Sequence, residues 1–344
     1  MDEATLKLLA KLAPELMDEI VSRAMVLERI SVLQPVGRRA LAQRMHMAER
    51  EARVLTDALR SDGWIEVSAA GMLLTDKAYE MLDNVRDIVR SKLGLASLEL
   101  QLQRLLKVER VRVVPGDADE SPEVLSEVGR VAAVKLRKLL SDGMILAVNG
   151  GSTVQQVADH IPRGMNLDVT VLPARGGLGQ SAETQASTLA EEIARKLGGR
   201  HRALYLPDSL TPDALRELVK LDEIREPLEA ISRADVLLCG IARADDMAKN
   251  RLMHQEQIDG LLSRGATAEV LGYVFDSQGR HLASSSGLGI PEEKIASVPF
   301  ILAVAAGARK GEAILAATRH HRHDYLVIDE GAAAKITSLI REEK

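Results

Sequence analysis

Aromatic side chains are nearly missing from this chain of 344 residues: two Phe, one Trp and four Tyr amount to 2% of it. The core must be aliphatic, and base stacking on aromatic platforms, the usual means of gripping single-stranded nucleic acid, is excluded as a main activity. Cysteine occurs once, as Cys239 inside "ADVLLCGIA". One thiol permits no disulfide framework and no cysteine-based zinc site within the chain, and in an apolar run it reads as a small buried hydrophobe. No run approaches the ~20 apolar residues of a membrane span. The opening "MDEATLKLLAKL" is acidic at once and lacks a signal-peptide pattern, so a cytoplasmic protein without a membrane partner is expected. An excess of positive charge is also missing. The formal net charge is −5, which excludes a uniformly basic nucleic-acid coat and leaves room for a local basic surface. What is present is ordinary for globular chains: 46% hydrophobic residues, too many for disorder, over a length that suits two domains.

The two ends of the chain read differently. From Ala13 to Leu95 the apolar spacing is helical and polar residues are dense. From Val131 onward, strand-like apolar runs ("MILAVN", "LDVTVLPA", "RALYLP", "ADVLLCGI", "EVLGYVFD", "VPFILAVAAG", "DYLVID") alternate with helical segments ("TQASTLAEEIARKL", "TPDALRELVKL", "GEAILAATRHH", "AAAKITSLI"). That alternation predicts an α/β domain, a doubly wound, mainly parallel sheet with helices on both faces. Between the halves, "SKLGLASLELQLQRLLKV" places Leu98, Leu100, Leu102, Leu105, Leu106 and Val108 at helical spacing, as a connecting helix or a subunit contact. The expected division is residues 1–90, a linker or oligomerisation helix over 91–110, and residues 111–344. No fixed-period repeat is present.

In the first segment a helix running to about Val32 is followed by a short one over Val36–Met45. A third, "AEREARVLTDALRSDGW", has Ala52, Leu55 and Leu59 on its buried stripe, and "WIEVSAAGMLLT" reads as a hairpin turning at Ala69–Gly71. This is the order of a winged helix-turn-helix, whose third helix enters the DNA major groove. Its outward residues should be Glu49, Arg50, Arg53, Thr56, Asp57 and Arg60. Arg38, Arg39, Arg44, Arg50, Arg53 and Arg60 against Glu49, Glu51 and Asp57 make a local basic excess, and arginine pairs bidentately with guanine edges and with phosphates. Arg38, Arg39, Arg50, Arg53, Thr56 and Arg60 are the candidate DNA contacts. The alternative is a solvated face, or a winged helix used for protein contact. His46, in the turn, reads as surface or a neighbour of backbone phosphate rather than a metal ligand.

In the second segment "VNGGSTVQQVADHI" is neither a Walker A loop nor a dinucleotide fingerprint. Gly150 and Gly151 permit a tight turn and close backbone approach, and Ser152 and Thr153 supply hydroxyls where a helix begins. A plain capped turn without ligand is the alternative. A second glycine-dense turn, Arg175 to Gln180, also follows a strand. Gln185 opens a helix, Lys249 and Arg251 lie in "MAKNR", Glu269 lies in "AEVLGYVFD", and Lys310 stands between a buried strand and a helix. Strand C-termini of a parallel sheet share one edge, where ligands bind. Two glycine turns, Arg175, Lys310 and a carboxylate for hydroxyls fit a phosphorylated sugar.

With "NGGSTVQQVA", "PARGGLG", "ETQAST", "LYLPDSL", "MAKNR", "AEVLGYVFDSQG" and "AAGARKGEAILAA", the chain resembles the SorC/DeoR-type sugar-responsive repressors over essentially its whole length. The resemblance implies an effector domain like sugar-phosphate isomerases of the glucosamine-6-phosphate deaminase type, which senses a phosphosugar and passes that state to operator affinity. It implies contacts at Gly150, Gly151, Ser152, Thr153, Arg175, Gly177, Leu178, Gln185, Arg251, Glu269 and Lys310, with fructose 1,6-bisphosphate as effector and no cofactor. Two positions depart from the pattern: Ser152, where Thr is usual, and Asn250, where a second basic residue is usual. The implied partners are double-stranded operator DNA, the phosphosugar and further copies of the chain, as a dimer or tetramer.

The competing class is a phosphosugar isomerase or deaminase, which needs a poised general base. Asp245, Asp246, His254 and Glu269 are the candidates, and none sits in a pattern pairing a base with an orienting partner. The histidines of "RHHRHD" (His320, His321, His323) read as a solvated helix end rather than a metal site. Repressor and not enzyme is therefore the expectation.

Overall fold

The computed structural model describes residues 12–45, 47–92, 94–164, 166–176, 182–204, 212–251, 253–284 and 288–343. Two compact units divide between Ser97 and Leu98.

The first unit holds α1 (Pro14–Leu33), α2 (Arg38–Arg44), α3 (Glu49–Ser61), β1 (Ile65–Ser68), β2 (Gly71–Leu74) and α4 (Asp76–Lys92). Its core is aliphatic, as the scarcity of aromatics requires: Ile30, Leu41, Leu55, Leu59, Ile65, Met72 and Leu74 are buried together. In α3 the buried side chains are Ala52, Leu55, Thr56 and Leu59, the i, i+3, i+4, i+7 stripe of an amphipathic helix. The antiparallel pair β1–β2 turns at Ala69 and Ala70 with Ser68 opposite Gly71. Val36 bridges to Met72, which ties the start of α2 to the wing. Helices and hairpin follow the order expected for a winged helix-turn-helix.

The second unit follows α5 (Leu95–Leu106) and contains β3 (Arg110–Val114), α6 (Pro122–Leu139), β4 (Ile145–Val148), α7 (Ser152–Asp159), β5 (Thr170–Pro173), α8 (Ala186–Leu197), β6 (Arg200–His201), α9 (Pro212–Leu218), α10 (Asp222–Ile231), β7 (Val236–Gly240) and β8 (Ala242–Arg243). It continues through α11 (Ala244–Asn250), α12 (Gln255–Ser263), β9 (Ala266–Val270), β10 (Tyr273–Asp276), β11 (His281–Ser284), α13 (Glu292–Ile295), β12 (Phe300–Val304), α14 (Gly311–His320), β13 (Tyr325–Asp329) and α15 (Glu330–Glu342). Seven strands form one sheet in the order β3-β13-β12-β7-β4-β5-β6, with every pairing parallel. From β4 the chain winds outward to β5 and β6, and from β7 it winds the other way to β12 and β13. The order therefore reverses between β4 and β7, and a crevice opens at such a switch point beyond the strands' C-terminal ends. Alternate residues of β4 and β7 serve the two faces: Leu146, Val148, Val236 and Leu238 pack with Val157, Leu189 and Ile193 of α7 and α8.

Two expectations are corrected by this topology. "EVLGYVFD" is not one parallel strand. Leu271 and Gly272 have φ of 55° and 86°, the mirror-image turn that joins β9 to β10 as a hairpin. With β8 and β11 they form a separate four-stranded antiparallel sheet, β11-β10-β9-β8. "RALYLP" is described only in part: β6 ends at His201, residues 202–204 follow it outside any strand, and residues 205–207 lie outside the described ones. The leucines of the linker also do not act as one stripe. Leu102, Leu106 and Val108 are buried, whereas Leu100 is 53% exposed. No described helix is long and apolar enough to cross a membrane.

Candidate functional site

The loop after β4 lies beside the switch point. Asn149 donates its backbone N–H to the Leu238 carbonyl of β7 at 2.9 Å, and Gly151 donates to the Thr184 carbonyl at 2.9 Å. Gly151 stands at φ 124°, ψ 159°, a backbone state essentially confined to glycine, and from there α7 begins. Gly150 is required for a different reason. A Cβ on it would meet the Thr184 carbonyl oxygen at 2.7 Å and the Ala186 amide nitrogen at 3.2 Å. The absent side chain lets the N-terminus of α8, opened by Gln185, stand against the N-terminus of α7. Two sets of free N–H groups and two positive dipole ends thus share one place. Thr153 is buried and Ser152 exposed, and neither hydroxyl is hydrogen bonded to a described residue, which leaves both available as donors.

Other candidates reach the same sheet edge from neighbouring elements. Arg175 follows β5, is 9% exposed, and donates from Nη1 to the Leu271 carbonyl at 3.3 Å. Its backbone is pinned by a bridge to Gly289. Glu269, on β9 opposite Ala242, is buried and accepts both guanidinium nitrogens of Arg251, one at 2.6 Å. The sequence offered these two separately, as a phosphate contact and a hydroxyl acceptor; the fold makes them a bidentate pair. Lys310 ends the short turn Ala308–Lys310 after β12 and leads into α14. Its backbone N–H donates to the Gly307 carbonyl at 3.0 Å, while its ammonium forms no hydrogen bond or ion pair with a described residue. Burial, and then the neighbouring Arg309, push its ammonium below the ordinary lysine value, against the opposing pull of Asp246, Asp119 and Asp329. Gly177 and Leu178 lie outside the described residues.

Sequence reasoning missed the group that holds the Lys310 turn. Asp329, fully buried at the end of β13, accepts the backbone N–H of Ala118 (2.7 Å), Gly307 (2.8 Å) and Ala332 (3.0 Å). Burial raises its carboxyl above the ordinary value despite those donors. Arg309 is fastened to Asp119 (3.1 Å) and Asp246 (3.2 Å). A carboxylate closing "DYLVID" at a strand's C-terminus was the only signal available.

Of the four candidate bases, the three carboxylates are engaged by arginines and His254 is exposed. Asp245 is hydrogen bonded to Arg243 at 2.7 and 2.9 Å, and that guanidinium holds it below the usual carboxylate range. Asp246 faces Arg309, and Glu269 faces Arg251. His254 is exposed at the start of α12, where its backbone N–H donates to Gln257. None has the free lone pair and orienting partner that proton abstraction requires.

In the first unit, Arg50, Arg53 and Arg60 stand exposed on α3, with no ion pair to a described residue. Arg39 is 86% exposed and paired with Glu49 at 2.8 Å. Two candidates differ from expectation. Thr56 does not face outward: it is 1% exposed, its hydroxyl donates to the Ala52 carbonyl at 2.7 Å, and it accepts from Arg38 Nε at 3.1 Å. Arg38 also pairs with Asp57 at 2.7 Å, so it braces α2 against α3. His46 lies outside the described residues.

The histidine-rich tail is corrected too. His321 and His323 are 9% and 2% exposed rather than solvated. Burial pushes them down to about 3 and about 4.

Comparison with known proteins gives this geometry a family. A model described as "Putative sugar-binding domain" matches residues 91–338, and a CggR N-terminal DNA-binding domain model matches residues 20–89. The chain belongs to the SorC/DeoR-type sugar-binding transcriptional regulators. It is 34% identical to the central glycolytic genes regulator of Bacillus subtilis, covering 97% of each chain, and 33% identical to that of Priestia megaterium, covering 95% and 96%. Among solved structures, a SorC family transcriptional regulator from Enterococcus faecalis superposes with a TM-score of 0.65 at 32% identity, over 70% of this chain and 99% of that one. The full-length sorbitol operon regulator of Klebsiella pneumoniae shares the fold, with a TM-score of 0.65 at 19% identity over 88% and 93%. This member of the family is thus a transcriptional regulator with a DNA-binding and a sugar-binding domain, and not an enzyme.

Proposed function

We propose that this regulator is a cytoplasmic, homo-oligomeric repressor of glycolytic and related carbohydrate genes, released from its operator by a phosphorylated sugar, with fructose 1,6-bisphosphate favoured. The observation that carries the reading is the meeting of the α7 and α8 N-termini at Gly150–Gly151, with the hydroxyls of Ser152 and Thr153 and the Lys310 ammonium at the same sheet edge, none of them bonded to a described residue. A phosphate supplies acceptors for all of these donors. Gly177, Leu178 and Gln185 complete the proposed ligand set, and the Arg251–Glu269 pair would orient sugar hydroxyls. Exposed Arg39, Arg50, Arg53 and Arg60 are the proposed DNA contacts. Ligand can alter operator affinity only by favouring one arrangement of the protein over another.

Thermal-shift titration with glucose 6-phosphate, fructose 6-phosphate and fructose 1,6-bisphosphate tests the effector, because a bound ligand raises the melting temperature by mass action. The bisphosphate should give the largest shift. Asn250, in place of a second basic residue, makes the monophosphates the informative comparison. Arg175→Ala should keep operator binding and lose the response to sugar; loss of operator binding with retained sugar affinity would reverse the assignment. Turnover of the bound sugar would favour the isomerase reading.

A further inference from the structure

Away from the sugar site, the C-terminal end of α14 meets α13 and the β10–β11 hairpin in a cluster of nitrogen and carboxylate ligands. Glu292, His320 and His321 each offer one ligand atom, and these atoms all lie within 4.8 Å of one another. His320 Nε2 stands 2.7 Å from Glu292 Oε1, and His281 Nδ1 stands 3.3 Å from Glu292 Oε2. The His320 and His321 rings are nearly perpendicular, with centroids 4.3 Å apart.

Proton bookkeeping makes the cluster unusual. His320 Nδ1 lies 2.7 Å from the Gly279 carbonyl oxygen. A carbonyl only accepts, so Nδ1 carries the hydrogen, and in a neutral ring Nε2 then presents a lone pair. That lone pair faces a carboxylate oxygen, which also only accepts when ionised. Either a second proton on the ring or a metal ion must lie between them. A backbone carbonyl on the remote nitrogen is also the outer-shell bond that fixes the tautomer of metal-bound histidine. Independently, His321 Nε2 is buried and has no hydrogen-bond partner among the described residues, in a residue 9% exposed. A buried polar atom without a partner is costly. Phe275 packs at 4.3 Å from the His320 ring and 5.3 Å from the His321 ring, giving the cluster an apolar wall.

We propose that Glu292, His320 and His321 form a site for a divalent transition metal of the zinc class, with His281 holding the second Glu292 oxygen and water in the fourth position. Two imidazoles and one carboxylate are a borderline donor set suited to such an ion. Tetrahedral ligands about 2.0–2.1 Å from zinc stand roughly 3.3 Å apart, a spacing the cluster reaches with small side-chain shifts. Glu292 and His320 are each 25% exposed at the side chain, so an ion has a route in. Bound metal would join α13, the end of α14 and the hairpin loop at Gly279. It would lie at the opposite end of α14 from Lys310, about 15 Å along the helix.

The test uses the full chain, stripped with chelator and titrated with zinc chloride by calorimetry in two buffers of different ionisation enthalpy. One zinc per chain is expected, and Glu292→Gln and His320→Gln should each weaken binding about tenfold or more. Glu292→Gln is close to isosteric and sits on a short surface helix, so it keeps the test decisive if the His320 variant misfolds. Failure to bind zinc, or equal affinity in both variants, overturns the site. So does a doubly protonated His320 ring seen by nitrogen NMR with stoichiometric zinc present near neutral pH, since a proton would then fill the gap.

Discussion

Arginine shows how far residue type alone carries an assignment. Arg38 and Arg53 are the same side chain in the same basic segment, and the fold gives them different work. Arg38 bonds Thr56 and Asp57 across the α2–α3 junction, while Arg53 projects from the exposed face of α3. Arg53→Ala should therefore weaken operator binding by about 1–3 kcal/mol if it reads a base edge, with an unchanged melting temperature. Arg38→Ala should lower the melting temperature and weaken DNA binding only indirectly. Equilibrium binding and thermal denaturation of both variants separate the two roles; equal losses of DNA affinity without any loss of stability in Arg38→Ala would return Arg38 to the interface. Lys310 gives a residue-scale prediction of opposite chemistry. Its pKa is depressed by burial and by Arg309, and only the protonated form attracts phosphate. Phosphosugar affinity should thus fall as pH rises, before the ordinary lysine range is reached. Lys310→Arg, charged throughout, should remove that alkaline fall without removing binding, as isothermal titration across pH would show.

At the scale of elements, the decisive feature is a helix-to-helix approach that one missing Cβ permits. Gly150→Ala places a methyl carbon 2.7 Å from the Thr184 carbonyl oxygen, so the start of α8 must withdraw from α7. Gly150 is not among the glycines with positive φ, so overpacking is the damage expected. We expect a stability loss of about 1–3 kcal/mol together with loss of the sugar-induced thermal shift. A variant that stays responsive would remove the helix-end pair from the recognition account. The sequence announced this turn because glycine beside a strand end leaves a local mark. It did not announce the partner, since Thr184 is 34 positions away by number and no pattern encodes their approach. The same limit explains the hairpin. "EVLGYVFD" is apolar enough for a buried parallel strand, and only the positive φ at Leu271 and Gly272 folds it back. Thr56 was misplaced by a narrower error: a polar residue at i+4 of the apolar stripe was sent to solvent, whereas its hydroxyl is satisfied within its own helix turn. His321 and His323 escaped because charge-rich neighbours, Arg319 and Arg322, disguised a buried corner as a solvated end.

At the scale of the whole molecule, the division at Ser97 and Leu98 separates two complete cores. Ile30, Leu41 and Leu59 close one without help from the sheet, and Leu146, Val148 and Leu238 with α6 to α8 close the other. A unit with its own buried core can fold alone. A fragment of residues 91–344 keeps all of α5, so that Leu102 and Leu106 retain their buried positions. It should fold cooperatively and bind phosphosugar within about twofold of the full chain, because linkage to DNA is absent when no DNA is bound. A fragment of residues 12–97 should bind operator DNA more weakly than the full chain, having lost avidity if the oligomer is built by the second unit, and should ignore sugar entirely. Full-length protein in the presence of operator should bind sugar less tightly than without it, because coupling between two ligands is reciprocal. Titrations of sugar into full-length protein with and without saturating operator measure that coupling. Equal affinities in the two titrations would mean that sugar does not act as an inducer.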